Sequence, residues 1–177
     1  MKYFSILTLL LSLFLFSCKI KPAHTEVKNE RKWPAKIDTL SIGIEVNHSP
    51  SYVYATENTK DPEKRGKYQL QHATSVKSIN EELVIVEFGG YVWYNNEWVL
   101  KTIYDRPFNK EEFTKWYKCE NGILKKGIPF TDNDNWMGKT NVLSGREISG
   151  LWYYIGKNKN GEMFVGAKEI SGILKLK

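Results

Sequence analysis

The stretch from Tyr91 to Leu100 constrains the fold of this chain more than any other. Aromatic and β-branched residues, which favour strands, flank Asn95-Asn96 on both sides. Asparagine tolerates the positive φ that a tight hairpin turn requires. A loop of two or four residues centred there pairs Trp93 with Trp98 and Tyr91 with Leu100. Successive strand residues point to opposite faces. Tyr91, Trp93, Trp98 and Leu100 then share one face, and Val92, Tyr94, Glu97 and Val99 share the other.

Strand patterns recur on both sides of this hairpin. Leu40, Ile42, Ile44 and Val46 alternate with polar or small residues, and "YVYATE" over 52–57 reads as a short strand. Tyr68, Leu70, His72, Thr74 and Val76 form one face of another strand. "LVIVEF" over 83–88 is an almost unbroken apolar run, as expected of a strand covered on both faces. Gly89-Gly90 after it predicts a bend or bulge. Near the C-terminus, 151–156 and 162–168 flank the turn signal Asn160-Gly161, and 172–177 reads as a last strand. "REISGL" at 146–151 and "KEISGI" at 168–173 nearly repeat, which reads as repeated turn chemistry.

One helix is predicted near 109–120. Asn109 can cap it, Glu112 can bond back, Phe108 can staple onto Phe113, and Gly122 ends it. Phe113, Trp116 and Tyr117 form its buried stripe, with Cys119 at the flank. Residues 128–145 read as a long irregular loop. About eight to ten strands with one short helix predict an antiparallel β-sandwich, with a small β-barrel as the alternative.

The N-terminus has a different character. After Met1-Lys2, residues 4–16 form a run of 13 uncharged, mostly apolar residues. As a helix this run is about 20 Å long, short of the roughly 30 Å core of a bilayer. It has the form of a secretory signal. Its end, Leu15-Phe16-Ser17-Cys18, resembles the lipobox of bacterial lipoproteins, with Phe16 where smaller residues are usual. The resemblance covers residues 1–18 and implies cleavage before Cys18, which then carries a thioether-linked diacylglycerol and an N-acyl chain. Lys19 after the cysteine, in place of the aspartate that retains some lipoproteins at the inner membrane, implies the outer membrane of a Gram-negative bacterium. The expected organisation is a signal peptide at 1–17, a lipidated flexible tether at 18–36 and one β-rich domain at 37–177.

The formal charge of +6 follows this division. Residues 19–36 hold six basic and two acidic side chains, whereas from Ile37 onward 19 basic residues stand against 18 acidic ones. A nearly neutral domain does not carry the electrostatic footprint of a nucleic-acid binder. With Cys18 acylated, Cys119 has no partner for a disulfide and is expected to be a buried small hydrophobe.

Signals for chemistry are sparse. His24 falls in the tether, His48 in a turn and His72 on an apolar strand face, and none has a partner at metal-ligand spacing. Asp132 and Asp134 suggest calcium, yet Met137 and Leu143 stand where the EF-hand loop needs Gly and Glu. Glu87, Glu97 and Asp105 lie near the hairpin, but nothing selects a catalytic pair among them. Six tryptophans and ten tyrosines remain as the signal, and Tyr91, Trp93 and Trp98 are the candidate ligand-binding residues. The expectation is a membrane-anchored, non-catalytic binding or assembly module without cofactor or metal. Its partner is a protein or a glycan, and the alternative is a glycan-binding module or a carbohydrate-active hydrolase.

Overall fold

Two sheets face each other across a core of rings and branched side chains. The computed structural model describes residues 31–177, so Cys18, Lys19 and His24 lie outside the described residues. In chain order the strands are β1 (Ser41–Ile42), β2 (Ile44–Ser49), β3 (Tyr52–Tyr54), β4 (Thr56–Glu57), β5 (Tyr68–Ser78) and β6 (Leu83–Tyr94). There follow β7 (Glu97–Leu100), β8 (Phe108–Asn109), β9 (Ile123–Leu124), β10 (Phe130–Thr140), β11 (Glu147–Lys157) and β12 (Met163–Ile173). Helices α1 (Ala35–Asp38) and α2 (Pro62–Arg65) are single turns, and α3 (Lys110–Tyr117) is the main helix.

The larger sheet runs β1-β12-β11-β6-β7, with β3 also on β12 and with β8 and β9 also on β6. The smaller sheet runs β10-β5-β2, with β4 also on β5. The long pairings are antiparallel, while β1 and β3 run parallel to β12. This is the expected β-sandwich and not a closed barrel.

The two sheets are joined along one side. The alternating stretch at 39–46 breaks at Gly43, leaving β1 on β12 and β2 on β5. The stretch 52–57 breaks at Ala55 in the same way, with β3 on β12 and β4 on β5. The corner needs a backbone with no side chain in the way. A Cβ on Gly166 of β12 would lie 2.3 Å from the Ile44 carbonyl oxygen.

The hairpin forms as predicted. Asn95 and Asn96 have φ of 49° and 63°, the signature of a type I′ turn, and Tyr91 pairs with Leu100 and Trp93 with Trp98. The α3 capping box also forms. Asn109 Oδ1 accepts from the Glu112 N–H at 3.0 Å, and Glu112 Oε2 accepts from the Asn109 N–H at 2.7 Å. The helix itself is shorter than predicted. It stops when Lys118 adopts a left-handed conformation, and Gly122 instead closes a following 3-10 turn, Glu120–Gly122.

Four further expectations are corrected. β6 runs through Gly89-Gly90, and its irregularity falls near Val86, between the pairings of Ile155 and Gly156. Residues 130–140 are strand β10 and not loop; two register shifts break the alternation that would have marked it. The segment 172–177 is not a separate strand, because β12 continues to Ile173. The near-repeats are not turns: they pair with each other around Ser149 and Ser171.

The inner face of the larger sheet packs against β2, β5 and α3. Phe88 stacks on Tyr154 with ring centroids 5.6 Å apart, and Phe113 stacks on Tyr117 at 4.3 Å. Cys119 is fully buried in this cluster, donates to the Ile123 carbonyl, and has its thiol pushed up to about 11 by burial. The outer face carries a second cluster of Tyr91, Leu151, Tyr153, Ile155 and Val165. What covers it is the chain before β1. Ile37 is fully buried there, and Trp33 and Leu40 pack beside it. Packing therefore begins inside the segment assigned to the tether, and the compact unit is Lys32–Lys177.

Candidate functional site

The outer face is built from alternate residues of four strands. β6 supplies Glu87, Gly89, Tyr91 and Trp93, and β11 supplies Leu151, Tyr153 and Ile155. Gly89 makes room for a ring, since a Cβ there would lie 3.0 Å from Tyr153 Cε1. A Cβ on Gly90 would lie 3.7 Å from the Trp152 indole on the inner face, an ordinary contact.

Residues 33–40 cross this face as a strap. Lys36 pairs with Glu87 on β6 at 2.5 Å, and β1 then joins β12. Glu87 also accepts from the Tyr153 hydroxyl at 3.0 Å. Burial and the neighbouring Glu87 carboxylate hold the Tyr153 phenol well above its ordinary range. One ion pair therefore ties the strap to the sheet over a buried aromatic floor, and the Tyr153 hydroxyl holds the carboxylate that makes it.

The three candidate ligand residues meet different fates here. Tyr91 is buried against Tyr153, with centroids 5.2 Å apart. Trp93 and Trp98 are half-buried and pack edge to face at 5.1 Å and 67°. A stacking platform for sugars needs exposed ring faces lying roughly in one plane, and this pair does not form one. Tyr94 at the hairpin tip is the exposed ring.

Two of the candidate carboxylates, Glu87 and Glu97, stand too far apart to form a pair. Glu97 sits opposite Tyr94, seven residues along β6 from Glu87. That separation is about 23 Å at roughly 3.3 Å per residue, well beyond the about 10 Å limit for glycoside hydrolysis. Asp105 occupies an exposed turn at φ 53°. Asp134 is ion-paired with Lys60 and accepts from Gln71 Nε2 at 2.8 Å, while Asp132 accepts from the Asp134 N–H at 3.0 Å. Among the described residues no group of three or more His, Cys, Asp or Glu side chains could hold a metal ion. A depression of about 250 Å³ between β4 and β5, lined by Glu57, Asn58, Lys67 and Tyr68, is smaller than most ligand pockets. Asn58 in its wall spends its amide on the Asp61 and Gly66 carbonyls.

A polar seam between the sheets escaped the sequence reading. His48 Nε2 lies 3.1 Å from the Lys168 carbonyl, so that nitrogen carries the proton. His48 Nδ1 is then the acceptor for the Thr74 hydroxyl at 3.0 Å, and Asn135 Nδ2 donates to Thr74 Oγ1 at 2.8 Å. His72 lies edge-on to His48 at 5.2 Å, and its buried Nε2 has no partner. Burial holds both imidazoles neutral, down to about 4, and His48 adds a repulsive contribution at His72. The Tyr117 and Tyr154 hydroxyls hydrogen-bond to each other beside this seam. The seam joins β2, β5, β10 and β12 in one network and acts as structural cement. His48 continues the alternation of Ile44 and Val46, which is the sequence signal that could have exposed it.

No protein-family model matches this chain, and neither a curated protein nor a solved structure matches it.

Proposed function

We propose that this chain is a lipid-anchored envelope protein of a Gram-negative bacterium, held at the outer membrane through acylated Cys18. Its β-sandwich serves as a non-catalytic binding or assembly module. The observation that carries this reading is the lipobox-like Leu15-Phe16-Ser17-Cys18 placed just before a compact unit that starts at Lys32. Several acyl chains, each buried CH₂ contributing about 0.8 kcal/mol, make such attachment nearly permanent. Six basic side chains within 19–36 add attraction to anionic lipid.

Packing of Trp93 edge-on to Trp98 and burial of Tyr91 support a protein-facing module over a glycan-stacking one. The anchor is tested by Cys18→Ala, which should move the protein out of the membrane fraction and abolish acyl labelling. Unchanged membrane partitioning contradicts it. For the module, tryptophan fluorescence should stay flat on titration with envelope polysaccharides, while cross-linking in cells should trap a protein. A saturable fluorescence response to polysaccharide would favour the glycan alternative instead.

A further inference from the structure

We infer that His48 and His72 form an acid-operated latch, which holds β2 against the middle of β12 and releases it when either imidazole takes a proton. The latch goes beyond the anchored-module reading and does not depend on it. It sits at a gap in the larger sheet. β1 pairs with Phe164 and Val165 of β12, and β3 pairs with Ser171, Gly172 and Ile173. Among the described residues, no strand of that sheet lies beside 166–170 on this edge. β2 crosses the gap while its own register belongs to β5 of the smaller sheet. Its polar hold there is the His48 Nε2–H, donated to the Lys168 carbonyl at 3.1 Å. One imidazole thus satisfies a backbone carbonyl that a strand would otherwise pair.

The latch is built for neutral rings. His48 Nδ1 accepts from Thr74, whose oxygen in turn accepts from Asn135 Nδ2 at 2.8 Å. A proton on Nδ1 makes that nitrogen a donor. The Thr74 hydrogen must then turn toward Tyr117, whose hydroxyl is already engaged with Tyr154. His72 is 3% exposed, and its Nδ1 faces the Leu70 carbonyl at 3.5 Å. A second proton there would sit on Nε2, which has no acceptor. The surrounding charges do not compensate either cation. Lys168 of β12 repels a charged His48, and the two rings repel each other across 5.2 Å. On β2, Glu45 is spent on Lys77 and Asn47. On β10, Asp134 pairs with Lys60, and Asp132 faces the Tyr117 and Tyr154 phenols. β11 presents Trp152 and Tyr154, and α3 presents Tyr117, all uncharged. Burial holds both rings down to about 4, against 6.5 for a free imidazole. At pH 5, each ring freed by release therefore multiplies the released population by about 30 relative to neutral pH. Acid biases a local element with two positions, β2 on β12 or off it.

The test is amide hydrogen exchange followed by NMR on the full chain at pH 7 and pH 5, with rates corrected for intrinsic pH dependence. The Gly43 N–H, bonded to the Val165 carbonyl at 3.0 Å where β2 leaves β12, reports release. The Lys101 N–H, bonded to the Gly90 carbonyl at 2.9 Å at the far edge of the larger sheet, is the reference. Gly43 protection should fall at least tenfold at pH 5 while Lys101 protection holds. A chain with both His48→Gln and His72→Gln keeps an N–H for Lys168 and cannot be charged, and should lose that fall. The wild-type imidazole signals, titrated over the same range, decide the matter should the double variant fail to fold. Unchanged Gly43 protection, an equal fall at Lys101, or a fall that persists in the folded double variant overturns the inference. So do rings that titrate near pH 6.5 without loss of Gly43 protection.

Discussion

The two faces of the larger sheet are buried by different means. The inner face is covered by β2, β5 and α3, elements distant in sequence that interlock rings such as Phe88, Phe113, Tyr117 and Tyr154. The outer face is covered by a strap, residues 33–40, that follows directly on the basic segment. The inner face therefore sets global stability, whereas closure of the outer face depends on the part of the chain nearest the proposed anchor. A pull or displacement at the N-terminus would act on the outer face first.

Substitutions can break this comparison. Phe88→Ala removes a ring that meets Phe108, Phe113, Trp116, Tyr117 and Tyr154, and should cost about 3–5 kcal/mol in urea unfolding. A cost below that of the outer-face substitution described next would invert the ranking of the two faces.

Ile37→Ala should cost about 2–4 kcal/mol, because the side chain is fully buried under the strap. It should also shift the side-chain NMR signals of Leu151 and Tyr153 while leaving those of Phe88 and Tyr154 in place. Equal disturbance of both sets would show that the faces are not separable.

The pH dependence belongs to the inner seam. Folding lowers the His48 and His72 pKa values from 6.5 to about 4, so the unfolded chain binds more protons between those limits. Stability is then complete above about pH 6.5 and falls as the pH drops toward 4, by a few kcal/mol. His72→Gln should flatten that slope in urea titrations at a series of pH values, and an unchanged slope would move its origin elsewhere.

Tyr154→Phe removes the hydroxyl that pairs with Tyr117, which keeps its hydrogen bond to the Thr74 side chain, and should cost about 1–1.5 kcal/mol. Glu87→Gln should cost least, about 1 kcal/mol or less, because the Lys36 pair is partly exposed and the amide still accepts from Tyr153. High salt should shrink that last difference further.

What was legible in the sequence was local. The Asn95-Asn96 turn and the Asn109–Glu112 capping box are written in a few adjacent residues, and both formed. The role of Gly89 depends on Tyr153, more than 60 residues away, so a bend was the natural but incorrect inference. β10 was hidden because its pairing with β5 shifts register twice, which removes the period-two signal. The strap was hidden because Trp33 and Ile37 stand four residues apart among lysines and a proline, too short a pattern for periodicity. Of the candidate site residues, Tyr91 joined the core, and Trp93 and Trp98 spend much of their surface on each other. Aromatic content alone could not separate those roles, since burial is decided by which element covers each face.

The most direct test of the account is the mass of the N-terminal peptide of the protein extracted from membranes. The account predicts a chain that begins at Cys18 and carries a diacylglycerol and an amide-linked acyl chain. A peptide that begins at another residue, or an unmodified Cys18, would contradict it.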